Sequence, residues 1–214
     1  MESNHLRIAR RQDATRVLGP GTRAVVWFQG CSLSCQGCIA ASMNASPPER
    51  LLAPWELAKW VTSRPGVAGV TLSGGDPFDQ PLDAMAAFLE EVRATSALSV
   101  LLYTGRTLEW LYANGGTAVA RVLAAVDILV DGPYVAALND GIGWRGSSNQ
   151  TIHLIGDRVE EPITGATSKR RIELEMSGAG VVQLTGMPGP QAGQRILESL
   201  ERIGRIDQSP SSTD

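Results

Sequence analysis

All three cysteines of this 214-residue chain fall in one stretch, Cys31-Ser32-Leu33-Ser34-Cys35-Gln36-Gly37-Cys38. A fold that carries this stretch must present three thiols to one ligand from a loop set on something rigid. Ala24 to Phe28, just before it, is a short apolar run with β-branched and aromatic residues, and so predicts a strand that ends at the loop. Three thiolates at C-x3-C-x2-C fall one short of a four-ligand structural zinc site. They suit three irons of a [4Fe–4S] cube, which closely spaced cysteine thiolates hold. The fourth iron is then open to chelate a substrate or cofactor. An odd cysteine count with no spare partner fits a reducing compartment, with the cytoplasm as the default.

The rest of the chain alternates. Residues 1 to 23 are polar and basic, and predict a solvated arm or short strand, or else an Arg23 that faces an anionic ligand. Pro54 begins a helix whose face is Trp55, Leu57, Ala58 and Val61, and Val67 to Leu72 predicts a second strand. It runs into Ser73-Gly74-Gly75-Asp76-Pro77-Phe78, where two glycines let the backbone turn sharply and approach a ligand; read alone, the string is a common tight turn. Pro81 to Arg93 predicts an amphipathic helix, Ser99 to Tyr103 a third strand, Leu108 to Tyr112 and Val119 to Ala125 two further helices, and Val126 to Val130 a fourth strand. Asp131-Gly132-Pro133-Tyr134 closes that strand, either as a turn or with the Asp131 carboxylate toward ribose hydroxyls or a ligand amine.

These strings together carry a resemblance. C-x3-C-x2-C after an early strand, with a glycine-rich turn some forty residues on, is similar to the radical S-adenosylmethionine (SAM) superfamily. Gly19-Pro20-Gly21-Thr22-Arg23, Val25-Val26-Trp27-Phe28-Gln29-Gly30-Cys31, Gly37 before the third cysteine, Tyr103-Thr104-Gly105, Asp127 to Tyr134 and Trp144-Arg145-Gly146-Ser147-Ser148-Asn149-Gln150 most resemble the anaerobic ribonucleotide reductase activating proteins. The resemblance covers roughly residues 15 to 155. It implies a partial, open (β/α) barrel of parallel strands with the chemistry at their C-terminal ends. It implies a [4Fe–4S] cluster on Cys31, Cys35 and Cys38, and SAM against Gly37, Cys38, Ile39, Gly74, Gly75, Asp76, Tyr103 and Asp131. The family's usual Gly-Gly-Glu-Pro is Gly-Gly-Asp-Pro here, so Asp76 reaches one methylene less than the glutamate. The implied activity is reductive cleavage of SAM to a 5′-deoxyadenosyl radical that takes a hydrogen atom from a glycyl-radical enzyme. A flavodoxin or ferredoxin would supply the electron.

Two other readings remain at this point: radical SAM chemistry on a small molecule or peptide, and a non-enzymatic zinc- or copper-binding module. A net charge of -3 gives no global basic surface and argues against nucleic acid, and no apolar run is long enough for a membrane span. The N-terminus lacks the pattern of a signal peptide. Trp144 to Gln150 is a polar loop between strands, able to donate to a carboxylate or ribose. His153, in the strand Thr151 to Ile155, has no acid near it in sequence and is expected to be structural. Glu90-Glu91 and Glu160-Glu161 are expected to be solvated. The chain divides into a core over 1–156, an extension over 157–206 and a disordered tail over 207–214. In the extension, Arg171 to Leu174 and Gly180 to Leu184 predict a hairpin through Ser177-Gly178-Ala179-Gly180, followed by an amphipathic helix on Ile196, Leu197, Leu200 and Ile203.

Overall fold

The computed structural model describes residues 4–44, 47–48, 50–159, 168–178 and 182–203. The expected tail, the pair Glu160-Glu161 and the tip of the expected hairpin lie outside them. The residues that precede the first expected strand are themselves a strand, β1 (Leu6–Thr15), so the solvated-arm reading does not hold. β1 lies inside the sheet, antiparallel to both β2 (Arg23–Phe28) and the short β3 (Arg50–Leu52). The strand alternative holds instead, over ten residues, and the solvated arm is a rival only because the basic residues look like a solvated face. In fact the guanidinium of Arg10 stacks 4.5 Å over the Trp27 ring and that of Arg11 4.8 Å over Trp60, so stems and rings cover one another.

β2 pairs in parallel with β4 (Gly69–Gly74), β4 with β5 (Ser99–Tyr103) and β5 with β6 (Ile128–Asp131). β7 (Thr151–Leu154) returns antiparallel along β6. The strand order is β3-β1-β2-β4-β5-β6-β7, a mixed sheet with two free edges that does not close on itself. Only its four central strands have the parallel arrangement expected of a barrel.

Side chains alternate across the sheet, as the period of two requires. Val26, Phe28, Val70, Leu72, Val100 and Leu102 face helices α1 (Pro54–Thr62), α2 (Leu82–Thr95) and α4 (Gly116–Ala124) and form the main core with them. α3 (Leu108–Asn114) adds Leu111 to that core. Val25, Trp27, Leu101, Tyr103, Ile128 and Val130 point to the other face. There they meet Trp144, Met43 and Met187 instead of helices.

Arg23 does not face a ligand. It is fully buried at the N-terminal end of the parallel strands, away from the cysteines. Its guanidinium donates to Thr71 Oγ1 (2.8 Å), Ser99 Oγ (2.9 Å) and the carbonyls of Val70 (2.7 Å), Ser99 (2.8 Å) and Pro20 (3.2 Å). Burial lowers its pKa to about 10, against a weaker upward pull from Tyr103 and Asp127, and among the described residues no carboxylate pairs with it. The cation ties three strand starts together by hydrogen bonds alone.

In the extension, β8 (Ile172–Met176) and β9 (Val182–Gly186) form an antiparallel pair, and α5 (Pro190–Ile203) follows. The pair docks on β1: Thr15 and the Arg16 N–H both donate to Glu173, while buried Thr185 donates to Gln12 Oε1 (2.6 Å) and accepts from Arg10 (3.1 Å). Among the described residues no helix is long and apolar enough to cross a membrane.

Candidate iron–sulfur cleft

The parallel register sets the C-terminal ends of β2, β4, β5 and β6 along one rim, because Trp27 stands beside Ser73, Leu72 beside Leu102, and Tyr103 beside Val130. Each strand therefore hands its loop to the same edge. The β2 loop holds the cysteines. It is pinned at its base by Gly30 N–H to Met43 O (2.7 Å) and Cys31 N–H to Asn44 O (3.3 Å), and it turns tightly at Cys38 N–H to Cys35 O (3.2 Å).

The glycines after β4 have a structural reason. Gly74 sits at φ +91, and a Cβ on Gly75 would collide with the Gly30 backbone, 2.7 Å from its carbonyl carbon. Gly75 N–H donates to Phe28 O (2.7 Å) and Asp76 N–H to Gly30 O (3.0 Å). The glycine-rich loop and the cysteine loop are thus fastened backbone to backbone, which only residues without a Cβ allow. A ligand's amino group is a donor and would need carbonyl oxygens here, not these N–H groups.

Asp76 looks inward. Its buried carboxylate accepts from Phe78 N (2.9 Å), Gly105 N (3.0 Å) and Thr104 Oγ1 (3.0 and 3.1 Å), and the Arg106 guanidinium lies 3.1 Å away. Burial pushes its carboxyl up, against the pull of the Phe78 N–H and of Arg106. Its place is that of a bracket between the β4 and β5 loops. Asp79 does the same for the cysteines. Its carboxylate accepts from Ser32 N (2.7 Å) and Ser32 Oγ (3.0 Å), and from Arg106 Nη2 (2.7 Å). Nothing in the sequence spacing singles out this Ser32–Asp79–Arg106 link.

Cys31, Cys35, Cys38, Ile39, Gly74, Gly75, Asp76 and Tyr103 line one cleft of about 780 Å³, counting its open mouth. All three thiols are free and half-buried, and burial pushes Cys31 and Cys38 up in pKa. The Tyr103 hydroxyl is buried without a hydrogen-bond partner among the described residues. Two of the sequence candidates stand elsewhere. Gly37 (φ +74) packs toward Ala136 beside the cleft. Asp131 caps α3 by accepting from Leu108 N (2.6 Å) and lies 3.1 Å from His153 Nε2, in a separate hollow beside α3. His153 therefore does have an acid next to it, brought there by the antiparallel return of β7.

The polar loop before β7 uses its donors internally. Gln150 Nε2 donates to Gly132 O (2.7 Å), Asn149 Nδ2 to Pro133 O (2.8 Å), and Arg145 pairs with Asp140 (2.7 Å). Gly146 and Gln150 still reach the cleft wall.

Among the described residues no three His, Cys, Asp or Glu side chains close tightly enough to hold a single metal ion. The thiols line a wall rather than a point. A cubane needs one thiolate per corner, and three soft donors along one wall, with a backbone cradle opposite, fit such a group. The comparison with known proteins agrees. A model of the 4Fe-4S single cluster domain matches residues 17–153. The anaerobic ribonucleoside-triphosphate reductase-activating protein of Salmonella typhi is 33% identical over 144 residues, 64% of this chain and 91% of that protein. Its counterpart in Vibrio cholerae is 34% identical, covered to 90%, and that of phage T4 is 31% identical, covered to 86%.

The chain belongs to this activating-protein family.

Membership makes it an enzyme of the radical SAM activase type, with a [4Fe–4S] cluster as its cofactor alongside the SAM of that group. Nearly all of each relative is used up in the matched region, so the β8–β9 segment lies outside what the family model covers. That segment still contributes Arg170, Met187 and Pro188 to the cleft. No sequence signal marked them, since Arg170 sits in a short basic run without periodicity.

Proposed function

We propose that this chain is a radical SAM activase that removes a glycine hydrogen atom from a glycyl-radical enzyme, an anaerobic ribonucleotide reductase, with a flavodoxin or ferredoxin as reductant in the cytoplasm. The observation that carries this reading is the backbone-to-backbone fastening of the cysteine loop to Gly74-Gly75 at the mouth of one cleft. When bound, the cluster and SAM supply one-electron chemistry that abstracts hydrogen. The chain's own part is to hold and enclose. Cys31, Cys35 and Cys38 are the cluster ligands, and Asp79 with Arg106 fixes the loop between them through Ser32. Gly74, Gly75, Ile39 and Tyr103 wall the SAM side, and Asp76 keeps the β4 and β5 loops in place for it. We read the four parallel strands as an arc of a partial barrel and residues 1–156 as the core that bears the chemistry.

A second reading, radical SAM chemistry on a peptide or small molecule, is favoured by one observation: the extension narrows the cleft. The test is 5′-deoxyadenosine formation from SAM by anaerobically reconstituted protein with dithionite, then the electron paramagnetic resonance (EPR) signal of a glycyl radical in an added reductase. Product with a radical in the reductase is the expected result. Product without that radical favours the second reading, and no product under either condition overturns both.

A further inference from the structure

Arg170 belongs to the extension, yet its side chain is only 5% exposed and lines the cleft that the cysteines line. Nη1 donates to Met187 O and Nη2 to Gly146 O, each at 3.2 Å, which holds the guanidinium flat between the extension and the polar loop. Asp140 stands off at 3.7 Å and is paired more closely with Arg145. Nε, a donor that never loses its proton in a protein, is buried and has no partner among the described residues. On the same cleft, the Tyr103 hydroxyl is also buried and has no partner among the described residues, and the charge of Arg170 reaches it. Native proteins rarely leave buried donors unsatisfied, and these two belong to residues that line one cleft. Donors that share a cavity call for an acceptor, and beside a guanidinium the matching acceptor is an anion of carboxylate shape.

We propose that Arg170, together with the hydroxyl of Tyr103 whose ring walls the SAM side, forms a carboxylate-binding subsite for the hydrogen-donor substrate. The cluster and SAM are common to a family whose match ends at residue 153, and the cysteines and glycine-rich loop lie inside that match. A donor that the chain adds from residue 170 is therefore not needed for the shared cofactors. It serves what is particular to this chain, which is the substrate it accepts. The occupant is an acidic side chain or terminal carboxylate close to the reacting carbon. This rests on the reading that a hydrogen donor enters this cleft.

The test uses reconstituted, SAM-loaded protein and two probes, N-acetylglycylglutamate and N-acetylglycylglutamine, with binding followed by ligand-observed NMR. Wild type is expected to bind the acid about tenfold more tightly than the amide, the size of one charge-assisted hydrogen bond. R170Q removes that preference while SAM affinity stays within about twofold, and R170K restores part of it through its point charge. Y103F, which leaves the contacts of Arg170 to Met187 and Gly146 in place, lowers the preference and guards against a folding artefact in R170Q. Equal binding of acid and amide by wild type, or no binding of either, overturns the proposal. So does a loss of SAM affinity in R170Q, which would move Arg170 to the cofactor. Failure of wild type to form 5′-deoxyadenosine would instead sink the activase reading and leave the binding result standing.

Discussion

Gly75→Ala tests whether the two loops at the cleft mouth are one mechanical unit. The added Cβ would meet Gly30 backbone atoms, its carbonyl carbon at 2.7 Å and its nitrogen at 2.9 Å. No rotamer relieves a collision between backbone and Cβ, so the loops must part. Parting them weakens two hydrogen bonds, Gly75 N–H to Phe28 O and Asp76 N–H to Gly30 O, each contributing about 1 kcal/mol net. Forcing a methyl group into a packed site adds about 1–3 kcal/mol. The expected loss is about 2–5 kcal/mol in anaerobic urea unfolding, with iron content falling as the cysteine loop shifts. Gly66→Ala is the control. Gly66, unlike Gly75, is left-handed (φ +71) and has nothing within 4 Å of a built Cβ, so Ala there costs only about 1 kcal/mol of backbone strain and no collision. A G75A protein within about 0.5 kcal/mol of wild type and fully iron-loaded would refute the fastening argument, since that is the range of ordinary surface substitutions.

Cys35→Ala removes one of three thiolates from a half-exposed loop position; near-complete loss of bound iron and of the cluster's visible absorbance is expected with the fold intact by circular dichroism, and normal iron content would remove Cys35 from the ligand set. Asp79→Ala removes the carboxylate that accepts from Ser32 N, Ser32 Oγ and Arg106, leaving Ser32 only its bond from Arg106, so iron should leave to a chelator about tenfold faster, the usual effect of losing a group that holds a metal-bearing loop; an unchanged rate would mean the loop does not depend on Asp79. Arg23→Met strands the hydroxyls and carbonyls that now accept from a buried cation and should cost about 2–4 kcal/mol in urea unfolding, whereas a loss under about 1 kcal/mol would show that water replaces the guanidinium.

Much of the fold could be read from the chain because parallel strands buried on both faces leave continuous apolar runs, as in Val25-Val26-Trp27-Phe28 and Val100-Leu101-Leu102. The helices α2 and α4 followed from their periodicity with ends shifted by a few residues. For β1 the sequence left a short strand and a solvated arm open, because its arginines are covered by aromatic rings rather than by water, a pairing between residues distant in sequence. The cysteines were legible from their spacing and Gly74 from the turn that its φ of +91 makes, whereas the reason for Gly75, the Gly30 backbone against it, lies far off in sequence. The positions of Asp131 and Arg170 depend on long-range pairing: β7 turning back along β6, and β8–β9 docking on β1. Local patterns carry no trace of either.

The wall that Arg170, Met187 and Pro188 add to the cleft also sets an order of assembly. Synthesis proceeds from the N-terminus at about 5–20 residues per second, and domains fold as units while it does so. The cysteine loop, the glycine-rich loop and Tyr103 are all made before residue 104, whereas the wall arrives from residue 170 onward. For several seconds the nascent chain therefore offers its thiols across a wider mouth than the finished protein does. Iron–sulfur loading on the ribosome-bound chain and repair of a damaged cluster in the mature enzyme then become different problems, and the second must work around a closed side.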